Sequence, residues 1–340
     1  MIDFRYHLVS IVAVFLALAI GIVVGAQAVA PAVTQGLNQA SNTERKQIRS
    51  LYAHNQQLKD QIAAEEAMAQ AAEPALLRGV LTGQHVVLVL APGADGPTVE
   101  GITGALQKAG ATVTGQVVLT SQFFDIGNVN EQQLMTTATS LKPAGITLPN
   151  SPPDPQISGQ QAAAQVIAAT IANNQGVDTL TATQAQQILT GFANAGFLQI
   201  NGPDGGSSLS GQGTMAVVVV PGTVPPAKTS GPFNQALIAL TQDMQEASRG
   251  AVLTGPLLGS GPRSAIDAVI SGAAGVTLTT VDNADMVSGQ IIVAQALNEL
   301  LEPHATPTAY GVRQHAVPSP APSASPSPSP TPSHSTRKKH

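Results

Sequence analysis

Leu8 to Val24 reads LVSIVAVFLALAIGIVV, a stretch with no charge and a single hydroxyl, Ser10. Continued through Gly25–Ala30, it reaches the ~20 residues that cross a bilayer core. Two readings fit: a cleaved signal peptide with Ala26-Gln27-Ala28 as its cleavage site, or an uncleaved anchor over residues 1–30. The apolar run exceeds the ~7–15 residues of a signal peptide's apolar region, which favours the anchor. Charge gives little direction, since Arg5 is offset by Asp3 and Arg45, Lys46 and Arg49 lie well beyond the run. The rest of the chain is poor in Lys and rich in Gly, Thr, Gln and Pro, as in exported proteins. The expectation is a single-pass protein of the cell membrane or envelope, with the N-terminus inside and the bulk of the chain extracytoplasmic.

Within the apolar run, Ala13, Ala17, Gly21 and Gly25 recur every four residues. Small residues at this spacing let two helix backbones approach closely in lipid. Alternatively, Ala and Gly are simply common here. Residues 37–72 are rich in Gln, Ala, Glu and Asn and lack Pro. There Ile48, Asn55 and Ile62 occupy heptad a positions, and Leu51 and Leu58 occupy d positions. An apolar a/d seam with one Asn at a is the pattern of a parallel two-stranded coiled coil, because the buried amide pairs best with its own copy. The seam is about two to three heptads long, short of the three to four usually required. A lone amphipathic stalk packed on its own domain is the other reading. Stripe and seam together predict a homodimer.

From residue 78 to 302 the pattern changes. His85–Ala91 (HVVLVLA) is continuously apolar, as in a strand covered on both faces. Further strands are predicted at 111–120, 197–200, 214–220, 251–254 and 276–281. Helices are predicted at 98–109, 131–141, 159–173, 183–195, 232–249, 263–273 and 286–301. This alternation predicts an α/β domain with a mainly parallel sheet, and the Pro-rich stretch Lys142–Pro155 could divide it into two lobes. Residues 303–340 hold nine Pro, seven Ser and no acidic residue. A tail of that composition is expected to be disordered. Its tip, Arg337-Lys338-Lys339-His340, reads as a solubilising end or as a contact to an anionic surface.

Composition excludes several chemistries. Cys is absent, which removes disulfides, thiolate metal sites and Cys nucleophiles. A net charge of −5, no Trp and 3% aromatic residues argue against a nucleic-acid partner. No phosphate-loop, G-x-S-x-G or H-E-x-x-H motif occurs. The Ala91–Gly96 loop reads as a plain strand-to-helix turn, and Gly259–Ser264 as a Gly-rich loop. Asp282 and Asp285 follow a predicted strand, where open α/β sheets often bind ligands, but capping of the next helix is the simpler role. Soft ligands select Cu(I), yet Met68, Met135, Met215, Met244 and Met286 stand apart, and four of the seven His lie in the last 37 residues. The fold therefore predicts no resident cofactor, no enzyme activity and no assignable metal ligand.

The opening Asp3–Gly25 (DFRYHLVSIVAVFLALAIGIVVG), Thr280–Asp285 (TVDNAD), Gly289-Gln290 and Tyr310-Gly311 resemble the actinobacterial MctB family. The likeness covers the layout of residues 1–311 and is strongest at the two ends. It implies an envelope protein, labelled outer-membrane in that family, linked to copper efflux or resistance, with copper as a transported ion. The same family includes SteB-like proteins. They imply an envelope protein partner and a part in septal integrity and control of peptidoglycan hydrolases.

Overall fold

The computed structural model describes residues 4–144, 159–174 and 180–320, apart from the side chains of 4–5 and 27–43. The chain divides after Glu65 into two units. The expected divider from residue 145 on, the tail from residue 321 on and its cationic tip lie outside the described residues.

The first unit consists of helix. α1 (Phe4–Leu77) carries both the apolar run and the heptad seam. Its Tyr6–Ala26 segment spans 21 residues at a mean hydropathy of 2.9, and none of it is buried.

The second unit is built on seven strands in the order β3-β2-β1-β4-β5-β6-β7. They are β1 (His85–Leu90), β2 (Thr112–Leu119), β3 (Leu198–Asn201), β4 (Met215–Val219), β5 (Ala251–Thr254), β6 (Thr279–Val281) and β7 (Ala309–Tyr310). All pairings are parallel except β2 with β3, which is antiparallel at one edge. The apolar run of β1 is explained by burial on both sides. Val86, Leu88 and Leu90 face one core, and Val87 and Val89 face the other, the period-two alternation of a strand.

Two layers of helices cover the sheet. α2 (Gly96–Lys108) and α8 (Val287–Glu299) share one core with Leu77 and Leu81. On the other face lie α3 (Asn128–Leu141), α4 (Gly159–Ile171), α5 (Ala182–Asn194), α6 (Ser230–Ala247) and the short α7 (Ala265–Ile270). The 3-10 turn Ser121–Phe124 places Phe123 in this second core beside Phe192 and Phe197. Each such fully buried ring contributes roughly 1.5–3 kcal/mol by leaving water. α4 (GQQAAAQVIAATI) is buried around most of its circumference, because its alanines allow α3 and α6 to approach closely.

Two boundaries differ from the sequence expectation. The α/β unit begins before residue 78. Leu77 is fully buried, Glu66 accepts the Val287 N–H at 2.8 Å, and Glu73, 4% exposed, pairs with Lys108 at 2.7 Å. The first part of the expected tail, from 303 on, is instead built into the α/β unit. Ala309–Tyr310 extends the sheet, Tyr310 is buried, and Val317 bridges back to it. A two-residue strand has no periodicity to read, and its place is set by partners far away in sequence.

Candidate functional site

The expected site residues fall on α1. Ala13, Ala17, Gly21 and Gly25 are exposed along the apolar segment. Open space surrounds both glycines, so nothing else among the described residues requires the absence of a side chain there. Ile48, Leu51, Leu58 and Ile62 are also exposed, Leu51 by 68%, and Asn55 lies exposed among them. An isolated helix in water gains nothing from such a row.

The second candidate is the carboxyl edge of the sheet. Strand order reverses between β1 and β4, the place where open α/β sheets usually form a ligand crevice. Here backbone fills it: the Gly222 N–H donates to the Gly93 carbonyl at 2.7 Å. The N-terminus of α2 is occupied by its own acid, since Asp95 accepts the Thr98 N–H at 3.0 Å and the Thr98 hydroxyl at 2.7 Å.

Asp282 and Asp285 are not helix caps. The residue before α8 is Met286, with no side-chain cap. The fully buried Asp282 carboxylate instead accepts the N–H groups of Val312 and Arg313 at 2.9 and 3.0 Å, clasping the turn after β7. Gly311 permits this approach. It sits at φ +134°, and a Cβ there would lie 2.1 Å from Asp282 Oδ1. Asp285 accepts the Leu257 N–H at 3.0 Å, and the Arg313 guanidinium donates to the Leu257 carbonyl at 3.2 Å. Gly289 presses on the Asn283 carbonyl, and Gln290 lies against Gly101 of α2. The residues that carried the family resemblance near the C-terminus thus form one strap. It binds the segment 309–317 across the ends of β5 and β6.

Among the described residues two groups titrate abnormally. Burial, reinforced by Glu246, raises Asp243 on α6 to about 7. Burial and a hydrogen bond to Glu299 raise the Tyr310 hydroxyl to about 12. Among the described residues no three His, Cys, Asp or Glu side chains are grouped to hold a metal ion. The five methionines remain dispersed over α1, α3, β4, α6 and the start of α8.

A helix of membrane-crossing length, continued into an open α/β domain strapped by its own C-terminal strand, defines the class of protein. A family of copper transport outer membrane proteins, MctB, matches residues 1–320. The chain belongs to that family. The copper transporter MctB of Mycobacterium tuberculosis is 27% identical over 304 residues, covering 88% of this chain and 93% of the relative. The copper transporter MctB of Mycobacterium leprae is 28% identical with the same coverage. The match extends past the expected domain end at 302 and takes in the whole strap. Asp282 and Gly311 both stood out in the sequence, but their contact became visible only in three dimensions.

Proposed function

We propose that this chain is a membrane-anchored, single-pass envelope protein that serves copper transport, with copper as cargo and the α/β domain extracytoplasmic. The match to the copper transport family over residues 1–320 carries the reading. Two copies associate through the stripe Ala13, Ala17, Gly21 and Gly25 and through the seam Ile48, Leu51, Asn55, Leu58 and Ile62. The exposure of both rows supports this pairing. The domain acts without catalysis and holds no resident cofactor.

A second reading is favoured by the strands. A membrane barrel needs closed antiparallel strands of ~9–11 residues. The longest strand here has eight residues, and the sheet is open and mostly parallel. One apolar helix cannot enclose a pore by itself. On this second reading the dimer is a non-catalytic scaffold for envelope integrity that recruits or activates an envelope partner, such as a peptidoglycan hydrolase.

Copper accumulation in a deletion strain tests both. The strain is complemented with the full chain or with residues 66–340 on an unrelated anchor and stalk. Lowered intracellular copper with the full chain alone supports a role for the native helix and seam in transport or its assembly. Restored envelope integrity with copper unchanged by either form overturns the transport reading and leaves the scaffold.

A further inference from the structure

The two edges of the sheet are finished differently. Beyond β7 the chain bonds to itself, since Val317 donates to the Ala309 carbonyl and accepts from the Gly311 N–H. Beyond β3 no further strand pairs among the described residues. The hydrogen-bond phase of that free edge can be read directly. The Thr120 N–H donates to the Phe197 carbonyl at 3.0 Å, and the antiparallel register continues from Leu119↔Leu198 to Gln116↔Asn201. Antiparallel bonding alternates along a strand. Phe197, Gln199 and Asn201 therefore bond inward to β2, and the N–H and C=O groups of Leu198 and Ile200 point outward.

Exposed edges are normally blunted by Lys, Pro or a bulge. β3 (LQIN) has none of these, and its pairing with β2 is regular. Its surroundings are neutral too. Residues 179–203, which include α5 and β3, carry no charged side chain, and α5 packs on β3. Charge depletion marks the core of protein interfaces, and between identical copies it removes like-charge repulsion.

We propose that β3 pairs antiparallel with β3 of a second copy, about a two-fold axis at Gln199. In this register Leu198 faces Ile200 of the second copy and the reverse, so the outward N–H and C=O groups of both residues find partners in both copies. The two Gln199 side chains meet at the axis, where their amides can bond to each other. The contact is isologous and closes on itself. So short a strand needs copies already held close, so the pairing rests on the proposed association through α1.

The chain lacks Cys, so an introduced thiol reports its neighbour without background. Gln199→Cys in the full chain, reconstituted in lipid vesicles and oxidised with diamide, should give a disulfide-linked dimer. Facing residues of a non-hydrogen-bonded pair have Cα atoms ~4.5 Å apart, within disulfide reach. Asn201→Cys should stay monomeric, because its own copy would lie ~13 Å away along the strands. Ile200→Pro removes an outward N–H and keeps the bonds to β2, and added to Gln199→Cys it should abolish the dimer. Leu58→Cys reports the α1 seam separately. Cross-linking at Leu58→Cys with none at Gln199→Cys would overturn the edge pairing and leave the seam. Absence at both positions would overturn both. Equal yields at Gln199→Cys and Asn201→Cys would mark random collision and also refute the pairing.

Discussion

Asp282→Ala removes the carboxylate that accepts the Val312 and Arg313 N–H groups. Hydrogen bonds to a charged group contribute about 1.5–3 kcal/mol each, so two give an upper bound of about 3–6 kcal/mol. Val312 is 61% exposed, and water can reach part of this turn once the carboxylate is gone. The expected loss is therefore about 2–4 kcal/mol. If that loss appears as opening of the strap, amide exchange at Gly311, Val312, Arg313 and Val317 should accelerate roughly 30- to 900-fold. Asp282→Asn should fall between wild type and Ala, because a carboxamide offers one acceptor and turns a donor toward the second N–H. Gly311→Ala should match Asp282→Ala from the other side, since its methyl group would overlap Asp282 Oδ1 at a φ that disfavours any side chain. Exchange at these amides within threefold of wild type, with an unchanged denaturation midpoint, would refute the clasp. It would return Asp282 to the list of ligand-facing carboxylates.

Other perturbations have equally definite outcomes. Lys108→Ala leaves the buried Glu73 carboxylate without its partner, and urea denaturation should show a loss of about 1–2 kcal/mol, less than for a fully buried pair because Lys108 is half-exposed. Asp243, raised to about 7 from 3.8, binds its proton more tightly in the folded state. Stability should therefore fall as pH rises from about 4 to 7 and level off above, and Asp243→Asn should flatten this slope and gain about 1–2 kcal/mol at pH 8 in pH-dependent melts. On the proposed pairing of two α1 helices, Asn55→Ile should raise the thermal midpoint of the pair while admitting oligomers larger than two, read by cross-linking or light scattering. Leu51→Asp with Leu58→Asp should leave monomers.

The α/β core was legible wherever local pattern and final burial agree. His85–Leu90 reads as a doubly covered strand because it is one, and the helices from α2 to α8 announce themselves through apolar spacing. What escaped was long-range. The antiparallel sense of β3 depends on three intervening helices returning the chain to the edge beside β2. β7 carries two residues and owes its place to a carboxylate 30 positions before Val312, in the turn that follows it. Asp282 and Asp285 have the composition of helix caps, and only the fold shows that their acceptors are used on other loops. The burial of Gln160, the second residue of α4, gave no signal at all. In a Gln- and Ala-rich helix a buried amide looks like any exposed one, and its burial comes from α4 being enclosed between α3 and α6. The rows on α1 were fully legible because their periodicity is local, as helical faces always are.

The strap also ends the sheet. At one edge the short β3 presents Gln199 and Asn201, both exposed. At the other, Val317 donates to the Ala309 carbonyl and accepts from the Gly311 N–H, so the outer ladder of β7 is already engaged by its own chain. Copies held side by side in the plane of a membrane would meet at high local concentration, where an open strand edge invites one sheet to extend into the next. A molecule that closes this edge can be crowded without polymerising there, and truncation before Ala309 would turn each copy into a template for the next.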